Sequence, residues 1–294
     1  MPELPTDRID AVIPPEETLV GYLLRLSRPR FWLYLGGPVI VGVSYAADGP
    51  RELFLPLAVA LFLYFTIPAN VFLYGVNDIF DADIDEHNPK KDEGREVSYR
   101  GDSAVTAIVV ASGALALLFV LGLPMLGVVA LLAWVALSVE YSAPPLRFKT
   151  TPFLDSISNG LYILPGVIGY AAIEGAAPPA TAVAGAWLWA MGMHTFSAIP
   201  DIEPDREAGI RTTATFLGES NTYYYCVMCW LTAAFVFTYT HWVFGLILLV
   251  YPGLVFGILG IGVDIDEAYW WYPAINTVVG MVFTLIALWV MLYG

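Results

Sequence analysis

LFLPLAVALFLYFTIPANVFLYGVNDIFDADID, residues 53–85, decides what this chain is built from. The part from 53 to 77 carries no charged side chain, whereas 77–85 carries four aspartates. A helix needs about 20 apolar residues to cross the hydrocarbon core of a bilayer. The stretch therefore reads as a membrane-crossing helix whose end emerges into a cluster of carboxylates.

Further charge-free runs lie at 31–47, 103–139, 156–173, 175–200, 220–263 and 268–294. The runs 103–139 and 220–263 are each long enough for two helices, divided near Gly122–Pro124 and at His241. Nine helices follow, at about 27–47, 53–77, 103–121, 124–142, 153–173, 181–200, 221–240, 243–263 and 270–292. Composition agrees: 58% of residues are hydrophobic and only 14% are charged, where ordinary globular chains have about a quarter charged. Residues 1–18 have no apolar core followed by a cleavage site, so the first helix is expected to act as the insertion signal.

Charge asymmetry sets an expected orientation. Arg8, Arg25, Arg28, Arg30, Lys90, Lys91, Arg95, Arg100, Arg147, Lys149, Arg206 and Arg211 fall in the N-terminal segment or after even-numbered helices, and only Arg51 falls on the other side. The positive-inside rule makes that face cytoplasmic. Nine spans then leave the C-terminus outside. The net charge of −14 fits both metal binding and a high-salt interior that screens dense surface acid. No nucleic-acid partner is expected. Cys226 and Cys229 form a C-x-x-C inside a helix. They read as two small apolar residues, since redox chemistry needs an exposed thiolate.

The polar residues able to do chemistry gather on one membrane face. Asn77, Asp78, Asp81 and Asp85 follow one another at spacings of 1, 3 and 4. On a helix the last three share a face, and Asn70 lies two turns earlier on a similar azimuth. Crowded carboxylates need a cation, and an oxygen-only set of this kind suits Mg²⁺ bridging to substrate phosphates. The bland alternative is a solvated acidic loop, and Asp83 is read that way. In DIEPD, residues 201–205, Asp201 and Asp205 stand at i and i+4, with Pro204 expected to end or kink the helix. Basic residues lie close by in sequence. Arg28, Lys90, Lys91, Arg147, Lys149 and Arg206, with the Asn70 amide, can clamp phosphate oxygens, although topology alone would also put positive residues there. Aromatic residues next to the motifs, among them Phe31, Tyr34, Phe72, Tyr74 and Tyr162, can wall a dry pocket and face a carbocation. Most aromatics in such helices simply pack. His194 and Asn159 point to the same interior, and His194 could orient an acid or move a proton. Acids at helix ends argue against a divalent-cation transporter, which would hold its acids at mid-membrane.

Three motifs resemble those of the UbiA-type intramembrane prenyltransferases. NDIFDADID resembles their N-D-x-x-D-x-x-x-D, DIEPD their second D-x-x-x-D, and YSAPPLRFK at 141–149 their Tyr-Ser-x-Pro-Pro loop. The resemblance implies an all-α fold with a central cavity open to the cytoplasmic face, Mg²⁺, a prenyl diphosphate donor and an apolar acceptor taken from the membrane. It also implies catalytic roles for Asp78, Asp81, Asp201, Asp205 and Tyr141. RPRFWLYLGGP at 28–38, the stretch 69–91 and HTFSAIPDIEPDREAGIRTTAT at 194–215 further resemble the lycopene elongases of halophilic archaea. This implies dimethylallyl diphosphate as donor and lycopene as acceptor, on the way to C50 carotenoids. An aromatic acid, a naphthoate or a glycerol-phosphate lipid as acceptor stays open on the residues alone.

Overall fold

In the computed structural model the described residues are 13–85, 97 and 99–294, with the side chains of residues 82–85, 266, 267 and 270 left out of the description. Every regular element among them is helical. Short α1 (Leu19–Leu26) leads through a turn at Pro29–Phe31 into α2 (Trp32–Ala46). Then come α3 (Pro56–Thr66), α4 (Pro68–Asp85), α5 (Ser103–Leu115, prolonged by a tighter turn to Leu121) and α6 (Met125–Glu140). The second half holds α7 (Leu154–Ser158), α8 (Leu164–Glu174), α9 (Ala180–Ser197), α10 (Ile202–Glu207) and α11 (Thr213–Leu217). It closes with α12 (Glu219–Thr238), α13 (Trp242–Leu248), α14 (Val250–Ile261) and α15 (Ile265–Tyr293).

Five helical stretches among the described residues are long and apolar enough to cross a membrane: Pro56–Asp81, Ser103–Leu121, Leu154–Glu174, Trp242–Ile261 and Trp271–Tyr293. The outer surface agrees. Leu121, Ile261 and Met125 are 90%, 82% and 78% exposed, tolerable where lipid rather than water is the neighbour. The chain is a multi-pass membrane protein.

Inside a bilayer each backbone carbonyl needs a partner, and the proline breaks reveal how this chain supplies one. The run 53–77, read from sequence as one helix, is two, because Pro68 has no N–H to offer the preceding turn. The Asn70 side chain closes the gap. Its Nδ2 donates to the carbonyls of Phe65 and Thr66, at 3.0 and 2.9 Å. Pro273 likewise leaves the carbonyl of Tyr269 without its helical donor, and Arg30 Nη2 donates to it at 3.2 Å. That bond ties the entry of α2 to the start of α15.

Two apolar cores result. One, around Leu35, Phe65, Leu131, Trp134 and Ile168, joins α1–α6 with α8. The other, around Phe196, Trp230, Tyr251 and Tyr272, joins α9 and α12–α15. Helices α2 and α8 come so close at Gly42 that a Cβ there would sit 2.0 Å from the carbonyl oxygen of Gly166. Backbone cannot yield as a flexible side chain does. Gly42→Ala is expected to cost about 1–3 kcal/mol, read as a fall in unfolding temperature in detergent. Gly257→Ala, with no atom within 4 Å of the new Cβ, is expected to be neutral or stabilising by up to about 1 kcal/mol.

Candidate active site

Asp78 and Asp81 sit on one face of α4 and are 1% and 9% exposed. A carboxylate buried so deeply is tolerated only with a partner. Asp78 Oδ1 accepts from Arg28 Nη2 at 3.1 Å. Asp81 Oδ1 accepts from Arg147 Nη2 at 2.9 Å, and its Oδ2 is in direct contact with Lys149 Nζ. Asn77 Oδ1 receives two donors, Ser142 Oγ at 3.0 Å and Lys149 Nζ at 3.1 Å. The first motif and the 141–149 loop therefore lock together.

Two of the three cations stand on unusual backbone. Arg28 has φ 49° and Arg147 φ 41°, left-handed values that cost an L-residue about 1–2 kcal/mol. Strain of this kind persists where the surroundings over-determine it. Here the turn before α2 and the loop after α6 each aim one guanidinium at one aspartate. Tyr22 on α1 lies within charge range of Asp78, with the Arg100 guanidinium over its ring. Burial, then the nearby Asp78 carboxylate, pushes its phenol up to about 12.

An aromatic wall begins at Arg28, whose guanidinium lies 4.6 Å from the centre of the Tyr74 ring. Tyr74 meets Phe31 at 6.0 Å, Phe31 meets Tyr34 at 5.2 Å, and Tyr34 meets Tyr162 edge-on at 6.1 Å. The hydroxyls of Tyr74 and Tyr162 are 3.4 Å apart. Tyr34 also lines an apolar cavity of about 570 Å³ between α2, α8, α9 and α12–α15. There Asn276 Nδ2 donates to the Tyr34 hydroxyl and Tyr251 donates to Asn276 Oδ1, both at 2.8 Å.

A third cluster sits beside the loop. The Tyr141 hydroxyl is 3.3 Å from His194 Nε2, which is 4.0 Å from Asp155 Oδ2. Asp155 is fully buried. The Thr213 N–H donates to its Oδ2 at 2.8 Å, and the Thr213 hydroxyl donates to its Oδ1. Asn159 Nδ2 donates to the Asp155 backbone carbonyl at 2.6 Å, and its side chain also meets that of Tyr141.

Some sequence expectations need correction. Asn70, read as a phosphate ligand, is fully buried with its amide engaged at the Pro68 break. Phe72, read as pocket wall, turns the other way: its ring lies 5.9 Å from Trp134 and fills the space beside Gly113. Phe72 and Tyr74 are two residues apart, roughly opposite on a helix of 3.6 residues per turn, so they cannot share a face. Arg206 pairs with exposed Glu203 at 2.7 Å and donates to the Thr215 carbonyl, facing outward. Pro204 does not end the preceding helix. That helix, α9, stops at Ser197, Asp201 caps a new one, α10, and Pro204 stands in its first turn, where the missing N–H costs nothing. Asp201 and Asp205 are half-buried, and Asp201 is within charge–charge range of His194. The Asp85 side chain and residues Lys90 and Lys91 lie outside the described residues.

Sequence reasoning missed Ser142 as a donor to Asn77, Thr213 as the holder of Asp155, and Tyr22. Ser142 stood in the quoted loop, but nothing in spacing singles out Thr213 or Tyr22. Among the described residues no three Asp, Glu, His or Cys side chains converge into a closed metal cage. The donors that α4 and α10 present are oxygens, the chemistry Mg²⁺ takes when water and phosphate complete its shell. Two buried acids ringed by three cations, beside an aromatic wall and an apolar cavity, can hold a polyanionic head group next to a hydrocarbon tail.

The sequence model of the UbiA prenyltransferase family matches residues 35–272. The chain is 92% identical over 294 residues to a lycopene elongase/hydratase of Haloarcula japonica, covering all of both chains. It is 62% identical to a lycopene elongase/hydratase of Haloferax volcanii, over 93% of this chain and 90% of that one. A UbiA homolog from Archaeoglobus fulgidus bound to DMAPP and Mg²⁺ shares the fold, with TM-score 0.71 and 23% identity over 90% of this chain and 98% of that one.

The left-handed turn at Arg147 can be tested by two substitutions that both remove the guanidinium. Arg147→Gly is expected to be about 1 kcal/mol more stable than Arg147→Ala, because only glycine takes this φ freely. Thermal unfolding of the two variants in detergent checks it; equal stability would mean the turn is unstrained.

Proposed function

This chain belongs to the UbiA prenyltransferase family, and from that premise we propose that it joins the dimethylallyl group of dimethylallyl diphosphate to the ends of lycopene, towards C50 carotenoids. The observation that carries the reading is the buried set Asp78–Arg28 and Asp81–Arg147–Lys149 facing the wall of Phe31, Tyr34, Tyr74 and Tyr162. It provides for an anion at one end and for an apolar chain at the other. The lycopene elongase/hydratase relatives supply the acceptor.

Asn77, Asp78, Asp81 and Asp85 from one motif, and Asp201 and Asp205 from the other, would hold Mg²⁺, which neutralises the departing diphosphate when bound. Arg28, Arg147 and Lys149 are placed to donate to diphosphate oxygens. In doing so they would give up part of their pairing with Asp78 and Asp81, leaving carboxylate oxygens able to hold a cation. As the C–O bond to diphosphate breaks, the terminal double bond of lycopene attacks the allylic carbon, and a tertiary cation forms on the acceptor. Tyr74, whose ring already faces the Arg28 guanidinium, can present a π face to positive charge. The apolar cavity keeps bulk water away. The cation then takes up water or loses a proton. We further propose nine spans, with the N-terminus and both acidic motifs on the cytoplasmic side, on the strength of the Lys and Arg distribution.

Purified protein given lycopene, dimethylallyl diphosphate and Mg²⁺ is expected to form C45 and then C50 products, read by chromatography and mass. Lycopene left untouched while a quinone precursor or geranylgeranylglyceryl phosphate is prenylated would overturn the acceptor. In the same assay Asp81→Ala and Asp201→Ala are each expected to lose at least about 10²–10³-fold in turnover, with membrane insertion intact. Near-normal turnover in either variant at saturating Mg²⁺ would overturn the two-motif site.

A further inference from the structure

The chain Tyr141–His194–Asp155–Thr213 lies beside the loop that carries Arg147 and Lys149, and its inner members are deeply buried. Asp155 and Thr213 are fully buried. The Asp155 carboxylate accepts the Thr213 N–H and hydroxyl, and Thr213 Oγ1 in turn accepts the N–H of Phe153 at 2.7 Å. Phe153 has φ 68°, so this carboxylate is held from a strained turn. Fixing a carboxylate in that way serves no packing need, since an apolar side chain would fill the space without a desolvation cost.

The Asp155 carboxylate and the Tyr141 hydroxyl face the same nitrogen of His194, Nε2, which lies 4.0 Å from Asp155 Oδ2 and 3.3 Å from the phenol oxygen, so a proton passed from the phenol to that nitrogen arrives beside the carboxylate. The Tyr141 carbonyl accepts the Lys149 N–H at 3.0 Å, so the tyrosine opens the same loop that carries the two cations of Asp81. The relay therefore starts at the site and ends in the protein interior. Arranged as phenol, imidazole and buried carboxylate, the three groups can move one proton inward and stabilise the imidazolium that results.

We propose that this relay takes the proton from the water that captures the tertiary cation, making Tyr141 and His194 the hydration machinery of the enzyme and Asp155 and Thr213 its positioning residues. The inference rests on the elongation reading above. A lone pair of water forms the C–O bond to the cationic carbon. The resulting oxonium gives a proton to the Tyr141 oxygen, and the Tyr141 proton passes to His194 Nε2 in the Nδ1–H tautomer. The product is a tertiary alcohol. The competing outlet, loss of a carbon-bound proton, gives an alkene and does not use the relay.

The experiment reads the ratio of hydroxylated to alkene product, which is independent of the total rate. Wild-type protein with lycopene, dimethylallyl diphosphate and Mg²⁺ is expected to give mainly hydroxylated C45 and C50 products. His194→Gln is expected to lower that ratio by about 10²-fold, the scale of general-base catalysis. Thr213→Val, which keeps side-chain shape, is expected to lower it about fivefold, the scale of one hydrogen bond, and Thr213→Ser to restore it. An unchanged ratio in His194→Gln, or in Thr213→Val should the first variant fail to fold, overturns the relay. A ratio that rises in His194→Gln also overturns it, by assigning the histidine to the carbon-bound proton. Elongated products without any hydroxyl in the wild type would overturn it as well. No elongated product at all in the wild type would instead sink the function proposed above.

Discussion

Two carboxylates at the end of an apolar helix must be neutralised before that helix can bury them, and most of the molecule is arranged around this requirement. Asp78 and Asp81 are almost fully enclosed. Removing either partner side of such a pair typically costs about 3–5 kcal/mol. The chain meets the demand from two directions, with Arg28 from the turn before α2 and with Arg147 and Lys149 from the loop after α6. Both turns carry an arginine in left-handed conformation. The same three cations are the groups a diphosphate would draw on, so the pairing that stabilises the fold also keeps donors aimed at the binding position.

A second constraint comes from the lipid. Proline is frequent here, at 21 residues, and each proline inside a spanning helix leaves a carbonyl without its helical donor. Asn70 answers Pro68, and Arg30 answers Pro273. Neither role concerns a substrate, yet both shape the site. The first sets where α4 begins and therefore where its aspartates end. The second pins α2 to α15, between which the Tyr34–Asn276 contact closes one side of the apolar cavity.

Periodicity and charge made the helices, the acidic motifs and the facing basic loop readable, because apolar length and carboxylate spacing are local properties. The structure gave them partners: Arg28 for Asp78, and Arg147 with Lys149 for Asp81. The misreadings share one origin. Asn70, Phe72 and Arg206 were placed by their azimuth on an ideal helix or by closeness in sequence to a motif. A helix broken at Pro68, a ring two residues out of phase with its neighbour, and a short helix beginning at Ile202 each change the direction of a side chain. Those events depend on what packs alongside, as Trp134 does for Phe72.

By itself the sequence determined that this chain is a bundle of apolar helices with two acidic ends and a basic loop, since each follows from composition over a single turn or span. Only the tertiary structure decided which cation neutralises which acid, that the aromatic wall runs Tyr74–Phe31–Tyr34–Tyr162, and that Thr213 holds Asp155 against His194. Apart from Phe31–Tyr34, these are contacts between residues 39 or more apart in the chain, and hydrophobic patterning carries no information about them. Helix rotation and close approach, at points such as Gly42 against Gly166, settle them instead.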